Sequence, residues 1–458
     1  MVGYVDNHGV FFRDLRDDGS VQNVHRREGS SAVACQYSDN IGDNWHPCRL
    51  PPAPSGLTIV GGPALALVKF ASSSGGEIPY VYYAVEAIAG GGDTPNRILV
   101  ACSPNGGSTF NSWTTLGTTY LRAQEPSIAG SRSRLEVVFV GNEGQPNDTI
   151  ETWEGGCAGT WKRRASLTGN GISHPLIREV PTTGALYLMY EARLPEDMSG
   201  RTRMLKFRPP VPTTLEPFTQ WAAVTIVGDP PTPCRSIFGP LTRPSPLGGS
   251  QFDFAVGADI FVGPPFPAPM VHGIITWVDM GTVYYQDFPL HDASVEPYMR
   301  HLHFPPTFVR GCAEALNGEA GGVPFLPTVA AFGLDERSDL PRLRAVSWFE
   351  QVGAGRVRLM QRTVVGYDLE PETNLTPLQV GPADSAPFCT TMSGEWSRYI
   401  SSVIVPSSPS VAHTLVFHPS SREDTHISRD SGIIPPCSSS NNNSVLFQEV
   451  AVTRKQIP

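Results

Sequence analysis

No stretch of the 458 residues is apolar for long enough to cross a bilayer as a helix. Charge is scarce too. Asp, Glu, Lys and Arg make up 17% of the chain, below the quarter or so usual in globular domains, which argues against long, charged, solvent-facing helices. Basic residues cluster nowhere more densely than Lys162-Arg163-Arg164, a run that reads as a solvated turn, and the formal net charge is -9. Bulk attraction to nucleic acid is thereby excluded. The cysteines form no Cys-X-X-Cys pair, so the usual zinc spacings are missing. There is no Gly-X-Ser-X-Gly elbow, no phosphate loop and no dinucleotide fingerprint. No signal peptide is expected at the start of the given sequence, where Met1-Val2-Gly3-Tyr4-Val5-Asp6 reads as a strand end, and the numbering is expected to start at a processed or truncated terminus.

What is plentiful points one way. The 45 glycines and 44 prolines show no collagen-like period. Hydrophobic residues, at 40%, suffice for a large core. Many short strands joined by tight turns answer that composition, and the expected fold class is all-β. Eight cysteines, Cys35, Cys48, Cys102, Cys157, Cys234, Cys312, Cys389 and Cys437, are dispersed and even in number. They fit up to four disulfides, with Cys35 and Cys48 placed to staple a turn. Three sequons, at Asn147, Asn374 and Asn442, agree with a secreted or cell-surface location.

An internal repeat is the strongest signal. Residues 38–45 read Ser-Asp-Asn-Ile-Gly-Asp-Asn-Trp, and residues 103–110 read Ser-Pro-Asn-Gly-Gly-Ser-Thr-Phe. Ser38, Asn40, Gly42 and Trp45 align without gaps with Ser103, Asn105, Gly107 and Phe110. A third copy begins Ser428-Arg429-Asp430-Ser431-Gly432, and Ala158-Gly159-Thr160-Trp161 keeps only the tail. A short polar side chain at the third position can bond back to turn amides, and the glycine takes a conformation other residues avoid. The final aromatic anchors the turn between strands. The motif resembles the Asp-box, Ser-X-Asp-X-Gly-X-Thr-Trp, of sialidases and related propellers, with Asn for Asp in two copies. The resemblance implies a structural turn between the outer strands of a blade, remote from any active site.

A second repeat consists of β-rich runs, 80–86, 135–143, 186–191, 274–279 and 345–350, each ending in an acid: Glu86, Glu143, Glu191, Asp279 and Glu350. A shorter run precedes most of them, often following a proline: Pro63, Pro126, Pro175 and Pro327. Third strands are expected near 33–37, 98–102, 149–153, 203–207, 282–287, 356–362 and 425–428, and a final strand from Val445 to Val452. Strand, turn, strand, turn, strand, Asp-box turn, strand is a four-stranded blade, and radial repetition protects its edges. The expectation is a single β-propeller domain over 1–458. Seven blades of about 65 residues fit the spacing best, with six the alternative. Pro-rich inter-blade insertions are expected near 208–255 and 288–324.

The sialidase resemblance implies an arginine clamp for a carboxylate, a Tyr–Glu nucleophile pair and an aspartic acid for proton transfer. The Phe/Tyr-Arg-Ile-Pro motif is missing; Phe12-Arg13-Asp14-Leu15 is the nearest string. On the positions that match in part, Asp17 or Asp18 would be the acid/base, Glu191 and Tyr399 would supply the Tyr–Glu pair, and Arg193, Arg310 and Arg398 would form the clamp. The serial acids read as structural turn caps, or as a ring that could hold a structural cation. No cofactor is expected. His301 and His303 lack a third ligand in the sequence, so they read as loop histidines. The expected function is recognition of a glycan or a protein surface, without a complete catalytic signature. Two alternatives stand beside it: an exo-glycosidase of sialidase type, and a structural subunit of a surface assembly.

Overall fold

The computed structural model describes residues 1–5, 11–15, 21–26, 33–38, 45–71, 77–90, 94–131, 134–157, 160–180, 186–192, 202–208, 222–223, 252–261, 268–279, 282–290, 314–315, 323–332, 342–353, 356–366, 378–385, 401–408, 411–420 and 444–453. Among these residues there is no helix; the fold is all-β. The chain divides into two compact units, one of residues 1–6, 30–224 and 238–240, the other of the remainder.

In the first unit, β1 (Val2–Val5) is its opening strand, while β2 (Phe11–Leu15) and β3 (Val21–Arg26) belong to the second unit. The first sheet is ordered β1-β4-β5, with β4 Val33–Tyr37 and β5 His46–Pro47. A second sheet takes β6 (Leu57–Ala71), β7 (Glu77–Ala89), β8 (Arg97–Ser103) and β9 (Thr114–Leu116) in sequence order. The third does the same with β10 (Arg122–Ser131), β11 (Arg134–Asn142), β12 (Thr149–Gly155) and β13 (Lys162–Thr168). The fourth contains β14 (Ser173–Glu179), β15 (Leu186–Ala192), β16 (Thr202–Arg208) and β17 (Ala222–Ala223).

The second unit continues the pattern with β18 (Phe252–Phe261), β19 (Ala268–Asp279), β20 (Thr282–Leu290) and β21 (Glu314–Ala315). The next sheet holds β22 (Val323–Phe332), β23 (Arg342–Gly353), β24 (Arg356–Gly366) and β25 (Leu378–Ser385). Its last sheet is five-stranded, β26 (Ser401–Ser408), β27 (Val411–Ser420) and β28 (Ser444–Thr453), then β2 and β3. Here the two ends of the chain meet: β2 runs parallel to β28, with Phe12 opposite Val445. The third place in this sheet belongs to the expected final strand, β28; the segment expected to fill it, 425–428, lies outside the described residues. All other neighbouring strands in the sheets pair antiparallel, and the five four-stranded sheets are meanders in chain order, whereas the first sheet joins β1 to β4 across β2 and β3 of another sheet.

The expected second strands are β7, β11, β15, β19 and β23. β7 and β11 are apolar on both faces because sheets cover both. On β7, alternate residues Val81, Tyr83 and Val85 enter one cluster with Val33, Cys35 and Cys48 of the first sheet. Tyr82 and Ala84 face the other way, into a cluster with Leu135, Val137 and Phe139 of the third sheet. Val138 and Val140 then pack on Leu186, Leu188 and Tyr190 of the fourth. Within the first unit, sheets therefore stack face to face in chain order. The period-two geometry of a strand sends each neighbour to a different layer. In the second unit, Ile274 and Val283 pack against Val346 and Trp348 in the same manner. Each such large side chain contributes roughly 1.5–3 kcal/mol by leaving water.

The turn 103–110 joins the third and fourth strands of its sheet. Gly107 N–H donates to Ser103 Oγ at 2.8 Å, and the Ser103 hydroxyl donates to Asn105 Oδ1 at 2.7 Å. Asn105 Oδ1 also accepts from Thr109 N–H at 3.1 Å, and Asn105 Nδ2 donates to Thr109 Oγ1 at 2.7 Å. Gly106 and Gly107 have φ of 70° and 100°, the left-handed region that glycine occupies without penalty. Phe110 is buried against Tyr83, with centroids 6.0 Å apart. In the 38–45 copy, Trp45 is buried and Ser38 half-buried, again between the outer strands β4 and β5; Asn40 and Gly42 lie outside the described residues. So do Ser428, Asp430 and Gly432. Trp161, the tail copy, lies between β12 and β13 and covers Gly155, where a Cβ would stand 2.4 Å from the indole.

Cys35 and Cys48 form the expected disulfide, with Cα atoms 5.4 Å apart. Cys102 and Cys157 form a second, tying the end of β8 to the segment after β12. Tyr82 Oη accepts from Cys157 N–H beside it at 3.1 Å. The other four cysteines lie outside the described residues.

Candidate functional site: a row of bulged strands

Four sheets share one irregularity in their first strand. Gly62-Pro63 stands opposite Val85 alone, Glu125-Pro126 opposite Phe139, His174-Pro175 opposite Tyr190, and Leu326-Pro327 opposite Trp348. Each is a β-bulge, two residues against one. The prolines seen in the sequence thus sit inside the strands, at the positions where the ladder is already broken and a missing N–H is tolerated. Gly62, Glu125 and His174 have φ of 61°, 61° and 53°. For Glu125 and His174, which have side chains, that conformation stores on the order of 1–3 kcal/mol each.

Side chains of the preceding sheet bind the amides that the bulges turn outward. Glu125 N–H donates to Glu86 Oε1 at 2.6 Å, and His174 N–H donates to Glu125 Oε2 at 2.6 Å. Just beyond the bulge, Ile177 N–H donates to Ser127 Oγ at 3.1 Å. The second unit repeats this step: Val329 N–H and the Thr328 hydroxyl donate to Asp253 Oδ2 at 2.9 and 2.8 Å. Charge-assisted bonds of this kind hold an otherwise unfavourable backbone in place.

In the first unit these contacts gather three ionisable side chains. His174 Nδ1 lies 3.3 Å from Glu191 Oε2, and His174 Nε2 lies 3.8 Å from Glu125 Oε1. The histidine and Glu125 side chains retain 14% and 15% of their exposure, Glu191 only 4%. An imidazole flanked by two carboxylates can exchange protons or bind hydroxyl-rich groups. Among the described residues, no three His, Cys, Asp or Glu side chains converge as metal ligands.

Glu191 is the sole proposed sialidase residue within the described part of the chain; Asp17, Asp18, Arg193, Arg310, Arg398 and Tyr399 lie outside it, as do His301 and His303. The strand-end acids are not five copies of one position. Register makes Glu86 and Glu191 equivalent, each facing the residue before a bulge, Gly61 or Ser173. The corresponding residue in the third sheet is Val140, and Glu350 falls one place further along its strand, accepting from Trp348 Nε1 at 3.0 Å. Glu143 lies past the end of β11, at the surface. Its carboxyl is held below the usual range by the Thr119 hydroxyl at 2.7 Å and by Arg163. Glu125 and His174 were not singled out from the sequence. The signal was the residue preceding each in-strand proline.

The basic run 162–164 is likewise part of a strand, β13, instead of a turn. Arg163 Nε and Nη2 donate to the fully buried Glu151 carboxylate at 2.5 and 2.7 Å, and the hydroxyls of Thr149 and Ser166 complete its shell. Arg164 pairs with Glu154 at 2.8 Å. This network locks the outer half of the sheet.

No protein-family model matches the chain, and no curated protein matches it by sequence. Similar solved structures include the six-bladed β-propeller lectin of Aleuria aurantia, at 12% identity and a TM-score of 0.36, covering 79% of this chain and 89% of that one. The α-L-arabinanase of Penicillium chrysogenum has 11% identity and a TM-score of 0.38, covering 88% and 99%. The subtype N11 neuraminidase-like protein of A/flat-faced bat/Peru/033/2010 has 8% identity and a TM-score of 0.37, covering 100% and 99%.

Proposed function

We propose that the chain is an extracellular β-propeller spanning 1–458, with Asp-box turns, that recognises glycans at the bulged first strands of its first unit. Seven sheets among the described residues favour seven blades, and the pairing of β2 with β28 would serve as the closure. The observation that carries the functional reading is the Glu125–His174–Glu191 cluster. Two carboxylates and an imidazole on strained, side-chain-braced backbone present acceptors suited to sugar hydroxyls. Disulfides between Cys35 and Cys48 and between Cys102 and Cys157 are compatible with an oxidising, extracellular compartment. No nucleic-acid partner is proposed, and no helix among the described residues is long and apolar enough to cross a membrane.

A glycan array tests the reading. The full chain is expected to bind a defined glycan subset, with E125Q or H174Q weakening it at least about tenfold, or about 1.4 kcal/mol. R164Q, on the outer strand, is expected to bind normally. Silence of the wild-type chain on the array refutes glycan recognition and leaves protein-surface recognition or an assembly role. Glu191 within the cluster gives the exo-glycosidase alternative its one point of support. Under that reading the chain hydrolyses a fluorogenic sialoside and loses the activity in E191Q and Y399F, with Asp17, Arg193, Arg310 and Arg398 as the remaining machinery.

A further inference from the structure

We propose that Asn147 is a glycan acceptor, carrying an N-linked oligosaccharide on the turn between β11 and β12. Asn147-Asp148-Thr149 is a sequon, and it is the one of the three that falls within the described residues. Asn147 is exposed at that turn. The turn is held by other side chains: Gly144 N–H donates to Asn142 Oδ1 at 2.7 Å, and Asn142 Nδ2 donates to Gln145 O at 3.2 Å and to Asp148 Oδ1 at 2.9 Å. Arg122 pairs with the other oxygen of Asp148. None of these bonds uses the Asn147 amide, so a sugar there leaves the turn intact.

Two further observations point the same way. Leu121 is 68% exposed, the most exposed large apolar side chain among the described residues, and its Cδ1 lies 3.5 Å from the point where a Cβ on Gly144 would stand. A sugar attached in this turn would shield that leucine from other molecules. The two disulfides fit the same compartment in which sequons are modified. In the transfer, Asn147 Nδ2 forms a bond to the anomeric carbon of the first sugar of a lipid-pyrophosphate-linked oligosaccharide. The bond from that carbon to the pyrophosphate oxygen breaks, the pyrophosphate leaves with the electron pair, and one amide proton passes to a base of the transferase. Nothing is oxidised or reduced.

The test directs the full chain into the secretory pathway of a eukaryotic host by a cleavable leader and recovers both the secreted and the cell-retained pools. Each is treated with a glycoamidase in heavy-oxygen water, which converts a glycan-bearing Asn to isotope-labelled Asp, and is then mapped by peptide mass spectrometry. The expected result is label at position 147, with N147Q losing one glycoamidase-sensitive step in gel mobility. An unlabelled, unmodified Asn147 peptide in both pools overturns the proposal, whatever the state of Asn374 and Asn442.

Discussion

Replacing Asn105 separates two explanations of the repeated turn: side-chain bonding or glycine geometry alone. Its Oδ1 accepts from the Ser103 hydroxyl and Thr109 N–H, and its Nδ2 donates to Thr109 Oγ1. A net hydrogen bond contributes roughly 0.5–1.5 kcal/mol, with the lower half of the range appropriate where water can replace the partner, as around Asn105. N105A should therefore destabilise the first unit by about 1.5–3 kcal/mol. N105D keeps both acceptor bonds, and its second oxygen can accept from the Thr109 hydroxyl once that rotor turns. Its charge strengthens all three, so N105D should match or exceed the parent at neutral pH. A carboxylate accepting these bonds has a folded pKa below its unfolded value near about 3.9. The added stability is then present above that unfolded value and is lost as pH falls through the folded one. Urea unfolding followed by tryptophan fluorescence reads the difference as a shift in midpoint at unchanged slope. If N105D loses as much as N105A at neutral pH, side-chain acceptors do not shape this turn and the argument fails.

Two other outcomes follow from the same structure. Chain-entropy reasoning gives the Cys102–Cys157 link, which closes 55 residues, about 4 kcal/mol, and the Cys35–Cys48 link, which closes 13, about 3 kcal/mol. The C102S/C157S pair should accordingly unfold at lower urea than C35S/C48S, and the reverse order would refute the entropic account. Burial raises the phenols of Tyr82, Tyr120 and Tyr190 above the ordinary tyrosine value. Unfolded tyrosines ionise near about pH 10 while these stay neutral, so their contribution is full below that pH and is lost as pH rises beyond it. Tyrosinate absorbance should then lag the exposed tyrosines and appear together with loss of near-ultraviolet dichroism; phenols that ionise first would contradict the burial.

The all-β class and the second strands were legible in the sequence because both faces of 80–86 or 186–191 are apolar, a pattern that tertiary context has little power to override. The 103–110 turn was legible because its bonds are local: Ser103, Asn105, Gly107 and Thr109 satisfy one another within seven residues. The proposal of glycan recognition rested, in the sequence, on resemblance. What only the tertiary structure decided is which polar residues meet. Glu125 and His174 are 49 residues apart, and no periodicity links them. They come together because a two-residue bulge rotates one amide outward on each first strand, and face-to-face stacking of consecutive sheets puts a carboxylate opposite it. The same register separated acids that looked alike: Glu86 and Glu191 share a place, while Glu143 and Glu350 do not. Local bonding fixes strands and turns from nearby residues; a site built across sheets depends on register and stacking, which only the folded chain defines.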